Sequence, residues 1–351
     1  MKSFILLFSF TIIWGTFSAQ SDSVQGGQSL RIMAVGDLML GTNYPSVSYL
    51  PPNGGKDVLA DVDSLLNASD LTVGNLEGVI RGAETPAGKK CSDPKYCYLF
   101  KSPDEYVEHF VTAGFDFLCV ANNHINDFGT IGREHTLKLL DQAGIKYAGV
   151  TDHPTTTMEV NGIMIGVTGF SPNRGTLSIH DYDLLKSTVE SLDAVCDIVI
   201  VSFHGGAEGP DHQHVTPGNE RYIGENRGDV IQFARAAIDA GADVVLGHGP
   251  HVARAVDLYK DRFIAYSLGN FSTYGRFNLK GPNGYAPILD LRINADGSFE
   301  SAQIHSAIQR DRGVPRFDAE ERAYQKIKEL TLADRPDAGL VFPGNGLIEK
   351  K

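Results

Sequence analysis

The sequence predicts an α/β layered domain, and three observations carry that prediction. Short runs rich in Val, Ile, Leu and Phe recur without strict polar alternation, as strands covered on both faces do. Helix-like stretches fall between them. Polar residues able to do chemistry follow directly on several of the runs, where open α/β sheets bind their ligands.

In chain order the predicted strands are LRIMAVG (30–36), LTVG (71–74), FDFLCV (115–120), MIGVTGF (164–170), DIVIVSF (197–203), DVVLG (243–247) and FIAYSLG (263–269). The predicted helices cover 58–66, 102–114, 132–144 and 228–241. Three of them end at Gly, and Ser102-Pro103-Asp104-Glu105 has the spacing of a capping box. Two apolar stretches flank Asn294-Ala295-Asp296-Gly297, which reads as a β-hairpin. Residues 318–331 read as a helix, and the end of the chain as a Pro/Gly-rich tail. Long loops are expected at 42–57, 81–101 and 204–227, and long loops in compact domains are usually functional or mobile.

The chain has 351 residues, 42% hydrophobic and 21% charged, with 38 Gly and 16 Pro. That suffices for a substantial core and excludes a disordered, collagen-like or disulfide-scaffold protein. One large domain or two would fit the length. A net charge of −12 without a basic run argues against a binder of phosphate backbones. No nucleic-acid partner is expected, although a cation in a site could still attract a local phosphate.

Residues 2–20 place one positive charge before an apolar run from Phe4 to Trp14 and then small and polar residues, the layout of a secretory signal. The run is short for a transmembrane span; a signal anchor is the competing reading. No later segment is apolar enough to span a bilayer, so an exported protein, periplasmic or extracellular, without a stable membrane span after cleavage is expected. Export permits disulfides. Cys91 and Cys97 could close a small ring, while Cys119 and Cys196 lie in apolar runs that suit buried thiols; three pairings remain open. The partition is a signal peptide at 1–20, a domain at 30–310 and a C-terminal helix and tail at 311–351. No partner-binding stripe points to an oligomeric state.

The informative fact is where polar residues fall. Asp37 follows the first run, Asn75 and Glu77 the second, and Asn122, Asn123, His124 and Asp127 the third. His204 follows a later strand, and His248 and His251 another, on a turn made rigid by Pro250. Each has a bland reading alone: Asp37 a helix cap, the Asn residues turns or caps, His204 a hydrogen-bonded strand end. Five strand ends delivering such residues to one edge favour a metal or catalytic site. Mixed carboxylate, amide and imidazole ligands suit Mn, Fe or Zn rather than calcium. One or two ions are expected, and two-metal sites typically drive hydrolysis. No G-x-S-x-G elbow or P-loop is present. HGGAEGP (204–210) could cradle an anion, and a carboxylate pair such as Glu77 with Glu208 stays open until distances are known.

With these residues in view the chain resembles the CapA family of bacterial capsule and poly-γ-glutamate synthesis proteins, itself similar to calcineurin-like metallophosphoesterases. The strings that carry the resemblance are VGDLMLG (35–41), GNLEG (74–78), ANNHINDFG (121–129), HGGAEG (204–209), GADVVLGHGPHV (241–252) and YSLGNF (266–271), in the family's order. The resemblance implies a metallophosphoesterase-like sandwich of two β-sheets flanked by helices, with metals at the strand ends. It implies Asp37, Asn123, His204, His248 and His251 as metal ligands, beside which Glu77 is expected as the nearby carboxylate ligand and Asn75 as a further candidate. His124 would be the proton donor or oxyanion contact, with Asp127 holding its second nitrogen. Asn122, Glu208 and Asn270 would meet the substrate. Met39 stands where the phosphoesterases carry a His and Asn75 where they carry a bridging Asp. Gly249 stands where many relatives have a further His and Gly205 where they have a Trp, while Glu208 keeps the acid of that motif. An exported metal-dependent hydrolase acting on an anionic cell-surface polymer or a phosphoester is the expectation, with a non-catalytic polymer-binding accessory as the alternative.

Overall fold

Strands whose two faces are both apolar must be covered on both sides, and this chain does so with four layers. The computed structural model describes residues 29–89 and 98–351. The signal-like segment and the Cys91–Cys97 pair therefore lie outside the described residues, where Cys119 and Cys196 are free thiols.

The strands that position the site are β1 (Ser29–Met39), β2 (Leu71–Leu76), β3 (Phe117–Cys119), β4 (Ile163–Ser171), β5 (Ile198–His204), β6 (Val244–His248), β7 (Arg262–Ala265), β8 (Asn270–Thr273), β9 (Tyr285–Asn294) and β10 (Phe299–Arg310). One sheet runs β10-β9-β1-β2-β3 and is extended at both ends, with β8 also paired to β1. The other runs β7-β6-β5-β4 with Val256–Tyr259 and Thr155–Val160 at its edges. Between the sheets lie Leu30, Ile32 and Ala34 of β1 and Ile198 and Ile200 of β5. The alternate residues face outward: Met33 and Val35 meet the helices Val107–Thr112 and Gly129–Ala143. Val199, Val201 and Phe203 meet the helices Tyr182–Asp193 and Val230–Asp239. The expected sandwich of two sheets flanked by helices is thus the fold.

Several local expectations are corrected. Only Asp63–Leu66 of the predicted helix 58–66 is helical. The next helix begins at Val107, and Ser102 lies in a short strand where its hydroxyl donates to the Gly41 carbonyl (2.7 Å) instead of capping. The run 263–269 is divided: β7 ends at Ala265 and a separate strand, β8, starts at Asn270. The helix Tyr182–Asp193 has no counterpart in the sequence reading, although Asp181 accepts from the Leu184 N–H (2.9 Å) as an N-cap and Leu185, Val189 and Leu192 form its buried stripe. The Asn294–Gly297 hairpin is formed as expected. The tail is not loose. Leu340–Gly344 and Leu347–Lys350 form a hairpin whose second strand pairs with β10.

Two close approaches shape the edge that carries the site. A Cβ at Gly36 would stand 2.0 Å from the Gly269 carbonyl oxygen, so only glycine lets β1 lie this near the start of β8. A Cβ at Gly249 would stand 2.9 Å from the Gly205 nitrogen, where the loops leaving β5 and β6 touch.

Candidate metal centre

Parallel strands in register set side chains abreast, and the two sheets present their sets at the same edge. In the first sheet Asp37 is level with Asn270 on one side and Asn75 on the other, and Asn75 with Cys119. In the second sheet His204 is level with His248. Asp37, Glu77 and His204 offer ligand atoms that all lie within 4.8 Å of one another. All three side chains are fully buried.

The polar groups around this cluster are incompletely satisfied. His204 Nδ1 lies 3.6 Å from Glu77 Oε2 and His248 Nδ1 lies 3.7 Å from Asp37 Oδ1. Glu77 Oε1, His204 Nδ1 and His248 Nδ1 are buried without a hydrogen-bond partner. A buried polar atom left unpaired costs about 1–3 kcal/mol, so several on the residues of one cluster call for a ligand there. Two carboxylates and two imidazole nitrogens form a donor set that fits a divalent transition metal.

Charge follows burial. Desolvation and the neighbouring Asp37 push the Glu77 carboxyl up to about 7. Desolvation and the Arg227 guanidinium hold His204 well below the ordinary histidine value. Desolvation also takes His248 down to about 4, against the pull of Asp37. His251 goes the other way: burial would lower it, but its hydrogen bond to Asp37 and the charges of Asp37, Glu208 and Glu77 raise it to about 9. At neutral pH the two unpartnered imidazoles are therefore neutral.

Asn75 is oriented by its neighbours. Asn122 Oδ1 accepts from the His124 N–H (3.0 Å) and its Nδ2 donates to the Leu76 carbonyl (2.8 Å), which leaves no freedom to flip. The same Nδ2 donates to Asn75 Oδ1 (3.0 Å). The Asn75 NH2 must then face the acids, and it donates to Asp37 Oδ1 (2.8 Å) and Glu77 Oε2 (2.6 Å). Asn75 accordingly bridges the carboxylates as a donor, which corrects its expected role as a ligand. Asn122, expected at the substrate, is used to hold it and is 1% exposed. Asn270 is also fully buried, donating to the carbonyls of His251 (3.1 Å) and Asn283 (3.1 Å), and so anchors the His251 turn, with its Oδ1 left unpartnered.

His251, expected as a ligand, is paired with Asp37. Its backbone is left-handed (φ 58°), a conformation disfavoured for histidine, and its Nδ1 lies 2.8 Å from Asp37 Oδ2. Its Nε2 is turned toward Glu208 Oε2, 3.9 Å away. His251 thus holds Asp37 from the mouth side. Asn123 has a buried Oδ1 without a partner, and no contact ties it to the acids. His124 meets the cluster through Nε2, 3.8 Å from Glu77 Oε1, while Asp127 Oδ2 holds its Nδ1 (2.7 Å) and also accepts from the Phe100 N–H (2.8 Å).

Residues 31–274 match the family described as "Bacterial capsule synthesis protein PGA_cap". The chain belongs to this family. Curated relatives of this PGA_cap member include the "Capsule biosynthesis protein CapA" of Bacillus anthracis, 28% identical over 286 residues that make up 76% of this chain and 65% of the relative. The "PGA biosynthesis protein CapA" of Bacillus subtilis (strain 168) is 28% identical over 318 residues, 86% of this chain and 78% of the relative. The chain thus spans just under two thirds of the B. anthracis protein. Among solved structures, a 5'-nucleotidase precursor from Thermus thermophilus aligns over 88% of this chain and 59% of that one, at 12% identity and a TM-score of 0.46, too distant to carry a function. Among the described residues of this PGA_cap chain, no helix is long and apolar enough to cross a membrane.

Two arginines of this PGA_cap member escaped the sequence reading. Arg227 Nη2 stands between His204 Nε2 (3.3 Å) and Glu208 Oε1 (3.0 Å). An arginine only donates, so His204 Nε2 accepts and the ring proton sits on Nδ1. To take a cation through Nδ1, that proton must move to Nε2 and Arg227 must turn wholly to Glu208. Arg254 pairs with both oxygens of Glu220 (2.8 Å each) and donates to the Ala207 carbonyl (2.9 Å), pinning the loop after β5. Neither Arg lies in a motif or a periodic run, so no local signal marked them.

Proposed function

We propose that this chain is an exported hydrolase dependent on one divalent cation (Mn, Fe or Zn), acting on an anionic cell-surface polymer in capsule or poly-γ-glutamate metabolism. The observation that carries this reading is the approach of Asp37, Glu77 and His204 ligand atoms within 4.8 Å of one another, with Glu77 Oε1 and His204 Nδ1 buried and unpartnered and His248 Nδ1, also unpartnered, 3.7 Å from Asp37. These four residues would hold the cation. A single ion is favoured because the Asn75 NH2 already fills the place between the two acids. When bound, the cation would acidify a water and take up charge developing on the scissile group. His124, aligned by Asp127 and packed at a tilt against Phe100 (4.3 Å), would hand a proton from Nε2 to the leaving group. Glu208, 20% exposed at the mouth, would keep Arg227 and His251 in place. Export rests on the N-terminal pattern of one charge and an apolar run.

A polymer-binding accessory without turnover is the second reading, and one observation favours it: Asn75 gives both acids a hydrogen-bond donor without any ion. The test is elemental analysis of the mature protein purified without chelators, with hydrolysis of phosphodiester and amide substrates measured before and after chelation. About one equivalent of metal and chelator-sensitive turnover support the hydrolase. A folded protein that takes up no metal and turns nothing over supports the accessory.

Cation binding should depend on pH through Glu77. Below about pH 7 that carboxyl is protonated and an entering cation must displace the proton. Affinity should therefore fall about tenfold per pH unit below 7 and level off above it. In the cation-free protein the sign reverses. The Glu77 value in the fold lies above its ordinary 4.5, so its contribution to stability is complete below that value and is lost as pH rises to about 7. Competition titrations from pH 5.5 to 8 would check the first effect, and a flat profile would exclude Glu77 as a ligand.

A further inference from the structure

A ladder of aromatic and cationic side chains leads outward from the cluster. Phe277 lies against the His251 ring (5.2 Å, nearly perpendicular) and stacks on Phe100 (5.0 Å), which in turn covers His124. One step out along the same two segments, the Arg276 guanidinium lies over Tyr98 (5.1 Å), and on its other side over Tyr49 (4.7 Å). Tyr98 is 44% exposed, so this rung opens to solvent.

A second guanidinium reaches the same place from another element. Arg312 lies over Tyr274 (5.3 Å) and donates to the Ser48 carbonyl (3.3 Å), next to the Tyr49 that carries Arg276. Its turn is strained: Asp311 and Arg312 both have left-handed backbones (φ 48° and 70°), positions that normally call for Asn or Gly. Asp311 faces Arg316 (3.8 Å) instead of Arg312. Among the described residues neither Arg276 nor Arg312 has a carboxylate within ion-pair distance. Two guanidiniums thus lie on tyrosine faces without a carboxylate partner among the described residues, in a chain of net charge −12.

We propose that Arg276 and Arg312 form an anion-binding subsite at the rim of the strand-end cluster, taking a carboxylate or phosphate carried on the polymer one unit away from the bond acted on. This rests on the hydrolase reading for its direction, since it orients the polymer toward Asp37 and Glu77. Phe277 provides the apolar surface along which the intervening unit passes. A guanidinium stacked on a ring is held flat with its N–H groups at the edge, the arrangement that recognises a two-oxygen anion; Arg312 spends one N–H on the Ser48 carbonyl and keeps the others.

The test uses the full chain loaded with its cation, its R276Q and R312Q variants and the double variant. Each is titrated calorimetrically with a γ-linked glutamate oligomer of about ten units, a polyphosphate of the same length, and an uncharged γ-glutamine oligomer. Each substitution is expected to weaken the anionic oligomer about tenfold, with metal content and melting temperature unchanged. The oligomer that loses affinity in the double variant identifies the anion as carboxylate or phosphate. R276K, which keeps the charge and loses the planar fork, should bind between wild type and R276Q. Equal binding by wild type and the double variant overturns the subsite, as does wild-type binding of the uncharged oligomer at the same strength or of neither anionic one. A chain without metal that still binds in an arginine-dependent way would keep the subsite and defeat the hydrolase. Metal-dependent turnover of a small ester with no arginine dependence of polymer binding would do the reverse.

Discussion

Asp37→Asn is expected to leave the protein folded and nearly free of metal. The substitution keeps the volume of a side chain that is fully buried and central to the cluster. It removes the charge that faces His248 Nδ1 at 3.7 Å and accepts from His251 Nδ1 at 2.8 Å. Asp37 is one of the two carboxylates proposed to hold the cation, so cation affinity should fall by about two orders of magnitude, roughly 3 kcal/mol, and turnover with it. Stability of the cation-free protein should change less. Asp37 is among the causes that raise Glu77, and its removal lets Glu77 ionise more easily. The lost pairing with His251 and the relieved repulsion with Glu77 then act in opposite directions. Elemental analysis with melting curves in chelator and in added metal would read both effects. The rise in melting temperature on adding metal should disappear in the variant. A variant that keeps its full metal content would remove Asp37 from the ligand set.

Asn75→Asp should act in the opposite sense on the ion and against the empty fold. The NH2 that now bridges Asp37 Oδ1 and Glu77 Oε2 at 2.8 and 2.6 Å would be replaced by an oxygen. Three buried carboxylates would then meet at one point, and one would have to stay protonated or find a cation. Melting in chelator should fall by several degrees, corresponding to about 2–4 kcal/mol, with metal recovering most of it. The bound ion count should rise from one to two, because a bridging carboxylate supplies what an amide donor denies. An unchanged count together with unchanged melting in chelator would show that the amide does not stand in for a second ion.

How much of this was legible in the sequence can be judged from particular residues. The strand runs and the ends at which they deliver Asp37, Glu77, His124, His204 and His248 could be read directly, because a both-sides-buried strand announces itself by composition and a polar residue at its end by contrast. The helix at 182–193 was legible through Asp181 and its Leu185/Val189/Leu192 stripe, and went unread. The C-terminal hairpin was not: Pro and Gly in its strands mimic a tail, and only the exposed edge of β10 gives those strands a partner.

The sequence by itself determined the layered α/β architecture, the family and the set of residues gathered at one edge. Those properties depend on local composition and order, which a linear text carries. The tertiary structure alone decided what each gathered residue does. Asn75 became a donor because Asn122 is locked by two backbone groups forty-six and two residues away. His251 became the partner of Asp37 because its turn is left-handed. Arg227 and Arg276 came to stand where they do because segments distant in sequence pack side by side. Orientation of a polar side chain is set by the groups across from it in space, and nothing in its own neighbourhood along the chain encodes them.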